Sequence, residues 1–384
     1  MIDLYKNGIK LAVFKENERD FLMDYQNFEL KNSITLSLPN SQKFYNWTNN
    51  FPPYFETFIP EGYLYEVFKN ILTKKHGYID DYLMFSFLAP NISSRITYRS
   101  EYKELNFAPI DIDEILNNDT DDTFRKLLKT FLDKNAISGV QPKTFAIVQD
   151  KESFSIKDYI IKTWGLEFPY LAENEYFSMK AVEKAGVWIP NIELSKNKKF
   201  LLVESFIHQG KEIMGFEEVL SLMNKNKINK YQGSYEQVSK VIMQFSTNKT
   251  ESMQQFFKTI VMNYLLKNGD AHLKNFGLLF NDDFTNIKFA PAYDIVTTTP
   301  YIIDDPPALT LAGRKIWHKK DALINFGRTH CLLSKNDAEN FFQECLEALK
   351  ESIGELKNYI EQTPHFETVG SQMLEAWQSS VNNT

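Results

Sequence analysis

A polar stretch between an amphipathic segment and an apolar run constrains the fold of this chain most strongly. The stretch is Asn268–Asn275, which reads Asn-Gly-Asp-Ala-His-Leu-Lys-Asn. Apolar residues before it recur at i, i+3, i+4, i+7, i+8 and i+11, which predicts a helix that buries one face. These residues are Met253, Phe256, Phe257, Ile260, Val261 and Tyr264. The run Phe276–Phe280 predicts a strand, so the polar loop is expected to join a long helix to a strand.

Two polar residues of this loop, Asp270 and Asn275, lie five positions apart. Phosphoryl transfer from ATP needs a carboxylate that accepts the hydroxyl proton and a side-chain oxygen that holds magnesium. Protein kinases use the same Asp-x-x-x-x-Asn spacing, with a second magnesium-binding Asp further along the chain. Asp294 is the candidate for that second residue. Taken alone the spacing is a weak signal, because two common polar residues often fall five apart by chance.

The loop also contains His272 and Lys274, and each has an alternative interpretation. His272 could be a metal ligand, but no second His or Cys lies at ligand spacing, so an orienting hydrogen bond within the loop is favoured. Lys274 could neutralise charge on a transferring phosphoryl group. A solvated loop lysine is an equally good interpretation of Lys274, and the sequence leaves the two open.

The string Gly-Asp-x-His-x-Lys-Asn-Phe resembles the catalytic loop of the HipA family of bacterial Ser/Thr kinases. Four further segments agree with that family in order and spacing, so the resemblance covers nearly the whole chain. They are Tyr54–Gly62, Ser138–Thr144, Lys162 and Ala290–Arg314. The resemblance implies an α+β, bilobal protein-kinase-like fold. It divides the chain into an N-terminal HipA-type subdomain (1–105), a mixed α/β N-lobe (106–208) and a mainly helical C-lobe (209–384).

The N-terminal part mixes strand-like runs with an aromatic segment. The runs Ile9–Phe14 and Ile34–Leu38 predict strands, and Phe51–Gly62 predicts a turn followed by one helical turn. That segment resembles the Phe-Phe-x-Asn-Leu-Leu-Pro-Glu-Gly motif of the family's N-terminal subdomain, with Thr57 where Asn is usual. On physical grounds alone the segment is structural.

A glycine between two strand-like runs, Gly139, allows backbone N–H groups to approach a phosphate closely. A hairpin turn is the simpler interpretation of such a glycine. The surrounding string resembles the phosphate-binding loop of HipA kinases, Ser-Gly-x-Gln-x-Lys-Thr. The resemblance therefore assigns five residues to ATP binding: Ser138, Gly139, Val140, Gln141 and Lys143.

A lysine at the end of a β-rich run, Lys162, is placed where kinases aim an ammonium at the α and β phosphates. Its expected ion-pair partner is Glu175, which shares one face of the following helix, Glu173–Ala185, with apolar residues. The apolar run that begins at Phe200 predicts a strand leading to the hinge between the lobes. Glu204 and Phe206 are the nucleotide-binding candidates there, although the family usually reads Glu-Arg-Phe-Asp-Arg and this chain reads Glu-Ser-Phe-Ile-His.

Kinases of this family commonly inactivate themselves by phosphorylating a serine of the phosphate-binding loop. This loop has Ala136 at the upstream serine position, so Ser138 is the autophosphorylation candidate. A phosphoserine adds about −1.5 to −2 charges and competes with the ATP phosphates for the same backbone donors.

Composition limits the other classes of function. A formal net charge of −7 argues against broad, non-specific nucleic-acid binding, which depends on neutralising phosphates with Lys and Arg. No stretch of about 18 apolar residues predicts a membrane span, and the N-terminus lacks a secretory h-region. Only Cys331 and Cys345 are present, so a disulfide framework is not supported and a reducing cytoplasm is expected.

The resemblance implies a cytoplasmic Ser/Thr protein kinase that uses ATP and Mg²⁺ and acts as a growth-arresting toxin. Its expected substrate is a protein of translation such as an aminoacyl-tRNA synthetase, and its expected partner is a small DNA-binding antitoxin similar to HipB. Two alternatives stay open. The same fold could phosphorylate a small molecule or a lipid, or it could be a non-catalytic scaffold; Asp270, Asn275, Asp294 and Lys162 argue against the second of these.

Overall fold

The computed structural model describes most of the chain, and its residues separate into two compact units. Described are residues 1–61, 65–66, 68–69, 72–73, 76–102, 112–120, 123, 143–149, 156–163, 167–210 and 212–383, with the backbone alone at 114, 143–149 and 156–158. The first unit comprises Met1–Thr163, Ser195–Ile228 and Leu279–Asn286. The second comprises Trp164–Leu194, Asn229–Leu278 and Ile287–Thr384. The predicted domain boundaries near residues 105 and 208 stay predictions.

The strands lie mainly in the first unit. They are β1 (Ile2–Lys6), β2 (Ile9–Asn17), β3 (Asp20–Tyr25), β4 (Phe44–Thr48), β5 (Thr97–Arg99), β6 (Lys143–Gln149), β7 (Ile156–Thr163), β8 (Ile192–Leu194), β9 (Phe200–Glu204), β10 (His208–Gln209), β11 (Glu212–Ile213), β12 (Gly215–Glu218), β13 (Gly277–Phe280) and β14 (Ile287–Phe289).

Two antiparallel sheets organise the first unit. The N-terminal sheet has the strand order β4-β3-β2-β1-β5, and its inner face packs on aromatic side chains such as Phe14, Phe55 and Phe85. In the second sheet, β7 lies between β6 and β9 and pairs antiparallel with both. Lys162 of this central strand stands opposite Lys143 on one side and Leu201 on the other. A lysine on a central strand is thereby fixed at a defined place in the sheet.

Helices dominate the second unit. The α-helices of the described residues are α1 (Pro53–Glu56), α2 (Asp81–Leu88), α3 (Ile112–Asn117), α4 (Leu171–Lys184), α5 (Val219–Leu222), α6 (Tyr235–Phe245), α7 (Lys249–Leu265), α8 (Lys320–His330), α9 (Lys335–Gln362) and α10 (Glu367–Asn382). None of the helices in the described part of the chain is both long enough and apolar enough to cross a membrane.

The helices predicted from periodicity are confirmed, and their ends follow from local chemistry. α4 ends where Gly186 adopts a φ of +73°, a conformation that suits glycine because it has no Cβ. α9 begins after Ser334, whose hydroxyl accepts a hydrogen bond from the Asp337 amide at 3.1 Å. The final helix extends to Asn382, five residues beyond the predicted end near Trp377. Capping residues therefore indicate where a helix ends better than the apolar repeat does.

The predicted strand Ile34–Leu38 is wrong, because this segment forms a series of bends. Side chains form hydrogen bonds with the backbone groups of this segment that a neighbouring strand would bind in a sheet. The Arg95 guanidinium donates to the carbonyl of Ile34 at 2.8 Å, and the Tyr25 hydroxyl donates to the carbonyl of Leu38. The Glu217 carboxylate accepts a hydrogen bond from the Ser37 amide at 3.1 Å. An apolar run does not become a strand when tertiary contacts satisfy its backbone in another way.

Candidate active site

The loop Asn268–Asn275 follows α7, as predicted, and a buried asparagine holds its first turn. Lys267 adopts a φ of +58° immediately after the helix and redirects the chain. The Asn268 side chain donates to Oδ1 of Asn263 at 2.7 Å and accepts the amide of Asp270 at 3.1 Å. Because Asn268 is almost fully buried, these bonds join the helix end to the loop without competition from water.

Gly269 is required by the close approach of two neighbouring side chains. A Cβ at this position would overlap the Asp305 carboxylate and would press on the Thr298 hydroxyl. That hydroxyl accepts the Gly269 amide at 2.9 Å and donates to the carbonyl of Lys267 at 3.1 Å. The loop therefore turns tightly before Asp270 because glycine leaves room for Asp305 and Thr298.

Asp270, the candidate general base, lies at the surface of this loop with 46% of its side chain exposed. Its Oδ1 accepts a hydrogen bond from the Tyr231 hydroxyl at 2.7 Å. The same oxygen lies 3.9 Å from Nε2 of His272, which is beyond hydrogen-bond distance. One side of the carboxylate is therefore contacted by a phenol, while much of the group stays open to an incoming hydroxyl.

The pKa of Asp270 is raised, chiefly by burial and also by two other carboxylates. Burial by the surrounding protein atoms has the largest effect, and the carboxylates of Asp294 and Asp305 raise the pKa further. The Tyr231 hydrogen bond and the positive charge of Lys230 act in the opposite direction. Repulsion among like charges at one place is a common property of sites that bind a cation or transfer a proton.

Asn275 and Asp294 are the candidate magnesium ligands, and that assignment stays a prediction. The Asn275 amide nitrogen donates to the Asp270 carbonyl at 2.9 Å, so its Oδ1 faces the other way. Asp294 has a φ of +55°, a conformation that aspartate tolerates better than most residues. Mg²⁺ prefers oxygen ligands and usually keeps water and phosphate oxygens in its shell, so one carboxylate and one amide oxygen suffice from the protein.

A complete metal site made of protein side chains alone is not seen among the residues that the structure describes. In that part of the chain, no three His, Cys, Asp or Glu side chains group closely enough to hold a metal ion. The orienting hydrogen bond of the His272 side chain stays a prediction. The backbone of His272 braces the loop, because its amide donates to the Asp270 carbonyl at 2.8 Å and its carbonyl accepts the Asn275 amide at 2.9 Å.

Lys274 is buried, with 7% of its surface exposed, which excludes the solvated-loop interpretation that the sequence left open. The Tyr293 hydroxyl donates to its carbonyl at 2.6 Å and ties the loop to the residue before Asp294. The structure thus brings Asp270, His272, Lys274 and Asn275 together in one loop and places Asp294 within electrostatic reach of the base.

The remaining described candidates occupy the predicted elements. Lys162 is buried in β7 of the first unit. Glu175 is buried on α4 of the second unit, beside Met179 and Val182 on the same face, which confirms that it points inward. The predicted ion pair between Lys162 and Glu175 stays a prediction. Glu204 ends β9, as expected for the start of a hinge.

The other candidates for ATP binding are described only in part. Phe206 follows β9 and packs edge-on against Phe216 with ring centroids 5.2 Å apart. Ser138, Gly139, Val140 and Gln141 lie outside the described residues, and Lys143 is described only by its backbone in β6. Their assignment to ATP binding stays a prediction.

Four residues that contact the loop were given no role by the sequence patterns. Asn268 and Thr298 shape the loop, while Tyr231 and Asp305 act on Asp270 directly or through charge. Only Asn268 is part of the motif itself. Thr298 and Asp305 lie in the family-like segment Ala290–Arg314, but the segment alone does not show that they contact the loop, and Tyr231 lies in no motif.

Comparisons of sequence identify the family and two relatives of this chain. Residues 135–353, more than half of the chain, match the family model of the HipA-like C-terminal domain. A protein of Haemophilus influenzae named "Putative kinase" is 33% identical over an alignment of length 184, and the match covers 43% of this chain and 53% of that protein. A second relative, "Putative kinase Y4dM" of Sinorhizobium fredii, is 23% identical over 75% of this chain and 73% of its own length. The chain therefore spans about half the length of the first relative and more of the second.

A solved structure with a similar fold covers nearly the whole chain. It is the Shewanella oneidensis MR-1 toxin–antitoxin complex of HipA, HipB and operator DNA, with a TM-score of 0.73 at 15% identity. The match covers 99% of this chain and 97% of the matched chain. It confirms the predicted α+β kinase-like fold.

Proposed function

Because the chain belongs to the HipA-like family, we propose that it is an ATP-dependent Ser/Thr protein kinase that requires Mg²⁺. The observation that carries the proposal is the loop in which the Asn275 side chain donates to the backbone carbonyl of Asp270 and Asp294 raises the pKa of the Asp270 carboxylate. A half-exposed carboxylate, an amide oxygen turned away from it and a second carboxylate are the groups that phosphoryl transfer needs from a kinase loop.

In the proposed reaction, Asp270 accepts the proton of a serine or threonine hydroxyl. The hydroxyl oxygen forms a bond to the γ-phosphorus of ATP, and the bond from that phosphorus to the β–γ bridging oxygen breaks, so ADP leaves with that electron pair. Asn275 and Asp294 would hold Mg²⁺, which when bound reduces the negative charge on the phosphate oxygens. Lys162 and the loop around Gly139 would bind the triphosphate.

The biological setting is part of the same proposal. The structurally similar HipA was solved with HipB and operator DNA. We expect this chain to act as a growth-arresting toxin in the cytoplasm and to bind a small DNA-binding antitoxin similar to HipB. Its substrate class would be a protein of translation, such as an aminoacyl-tRNA synthetase.

The proposed function is tested by following labelled phosphate. The purified chain is incubated with γ-labelled ATP, Mg²⁺ and a bacterial lysate, and protein, lipid and small-molecule fractions are counted separately. Asp270→Asn gives the background. Asp283→Asn is the matched control, because Asp283 is an exposed aspartate of the hairpin turn whose described contacts are with Thr285 and Asn281 of the same turn.

The expected result is label on serine or threonine of the protein fraction with the parent chain and Asp283→Asn, at a level far above that of Asp270→Asn. Label confined to lipid or small molecules would replace the protein-kinase proposal by the corresponding alternative. Equal label with the parent and Asp270→Asn would overturn the assignment of the base.

Autophosphorylation of the phosphate-binding loop is a separate part of the proposal. If the chain inactivates itself during incubation with ATP, we expect the phosphate on Ser138 and expect Ser138→Ala to keep its activity. Mass spectrometry of the ATP-treated protein measures this directly. Progressive inactivation with unmodified Ser138 would place the switch elsewhere.

A further inference from the structure

Tyr231 makes the shortest described contact to the candidate base, yet no motif includes it. Its hydroxyl donates to Oδ1 of Asp270 at 2.7 Å, across 39 residues of sequence. Its ring packs edge-on against His272 of the same loop, with centroids 5.1 Å apart. The side chain is 42% exposed, so burial of its ring alone does not account for its position.

The backbone around Tyr231 forms hydrogen bonds with several other segments of the second unit. The carbonyl of Lys230 accepts the amide of Leu273, inside the loop, at 3.1 Å. The carbonyl of Tyr231 itself accepts the Lys315 ammonium at 3.1 Å. Two residues later Gly233 accepts the Thr310 amide at 3.2 Å. The backbone that carries the phenol is therefore held on both sides of Tyr231.

We propose that Tyr231 is a positioning residue that holds the Asp270 carboxylate in the orientation needed to receive the substrate hydroxyl. The inference rests on the proposed kinase function. An ionised carboxylate has two oxygens with about four acceptor sites, so a phenol on Oδ1 leaves Oδ2 for the substrate. Without the phenol, the half-exposed carboxylate keeps the attraction of Lys230 and the repulsion of Asp294 and Asp305, but loses the hydrogen bond that fixes its orientation.

An opposite function is conceivable for the same contact. A tyrosine hydroxyl on the base could occupy the place of the substrate hydroxyl and so compete with the substrate. Such a competitor must withdraw before each turnover, whereas the Tyr231 ring packs against His272 and its backbone carbonyl accepts the Lys315 ammonium. These contacts favour positioning, and the two functions predict opposite changes in kcat/KM.

The decisive variant is Tyr231→Phe, which removes the hydroxyl and keeps the ring against His272. If Tyr231 positions the base, kcat falls roughly tenfold, a fraction of what a general base contributes, while KM for ATP and the thermal midpoint stay close to the parent. Tyr235→Phe is the matched control, because its hydroxyl donates to the loop carbonyl of Ala271 at 3.3 Å but does not contact the Asp270 carboxylate in the described structure. It should lower stability more and kcat less.

A double-mutant cycle shows whether Tyr231 acts through Asp270. In the Asp270→Asn background, Tyr231→Phe should cause almost no further loss of kcat, because the group it positions is gone. Equal losses in both backgrounds would mean that the tyrosine acts elsewhere. A rise of kcat/KM for the protein substrate in Tyr231→Phe would identify a competitor and overturn the inference.

A crystal structure of Tyr231→Phe separates this inference from the proposed function. We expect the Asp270 carboxylate to turn away from its parent orientation or to occupy two rotamers. An unchanged orientation contradicts the inference whether or not the chain transfers phosphate. Absence of phosphate transfer by the parent chain contradicts the proposed function, and the carboxylate orientation then still decides the inference.

Discussion

Two carboxylates, Glu217 in the first unit and Asp270 in the second, show how differently the fold can treat the same chemical group. Glu217 is 1% exposed, and both of its oxygens accept hydrogen bonds from neighbouring side chains or backbone. The donors are Thr35 at 2.6 Å, the Ser37 amide and hydroxyl, and Ser221 at 2.7 Å. Asp270 is half-exposed and has one described side-chain hydrogen bond, from Tyr231.

A raised pKa does not distinguish these two groups, because burial raises the pKa of both. The smaller causes of the two pKa shifts distinguish them. At Glu217 the other effects are hydrogen bonds that lower the pKa, whereas at Asp270 two neighbouring carboxylates raise it further. A carboxylate whose acceptors are filled is a structural group, and one that stays open among like charges is a candidate for chemistry.

The largest effect that would test this contrast is the loss of catalysis in Asp270→Asn. We expect kcat to fall by roughly 10² to 10⁴, the usual contribution of a general base, with little change in thermal midpoint. Asp283→Asn should match the parent in both measurements. A wild-type kcat in Asp270→Asn, measured with the protein substrate, would remove Asp270 from the reaction.

At Glu217 we expect the reverse, a loss of stability without a loss of catalysis. Glu217→Ala leaves Thr35, Ser37 and Ser221 without their acceptor, and we expect a loss of about 2–4 kcal/mol in the free energy of unfolding. Activity per folded molecule should be retained. Urea unfolding measures the loss, and Glu212→Ala, at an exposed position of β11, is the control. A stability equal to that of the control would contradict a structural function for Glu217.

A smaller effect separates the metal ligand from the base. Asp294→Asn should weaken Mg²⁺-dependent ATP binding by about tenfold, because it removes a charged ligand while leaving the proton acceptor in place. Asp304→Asn is a close control, since Asp304 is also an aspartate with a φ of +55° and is exposed. ATP is titrated with and without Mg²⁺. Identical binding of both forms by Asp294→Asn and the parent would show that Asp294 does not bind the metal.

The smallest expected effect concerns pH. Because the pKa of Glu217 is raised in the folded chain by burial, that chain holds the proton more tightly than the unfolded chain does. The contribution of Glu217 to stability is therefore greatest below the usual pKa of a glutamate and is lost as the pH rises through the raised value. The stability of the parent relative to Glu217→Gln should decline over that interval. A relative stability that increases with pH would show that hydrogen bonds outweigh burial.

Local sequence determined the elements that need only neighbouring residues. The apolar repeat before Asn268 produced α7, because 3.6-residue periodicity places those side chains on one buried face. Asp270 and Asn275 could be identified as a pair because one short turn carries both, and the Asn275 side chain reaches back to the Asp270 carbonyl. Such features are encoded within about ten residues, so their pattern can be read without the fold.

The tertiary structure decided everything that depends on distant residues. Ile34–Leu38 has the composition of a strand, but Arg95 and Glu217, far along the chain, bind its backbone and prevent pairing. Likewise, Tyr231 and Asp305 are separated from Asp270 by 39 and 35 positions, and the sequence patterns gave neither residue a role. Hydrogen bonds and charges act over a few ångströms in space, so the environment of the base exists only once packing has brought these segments together.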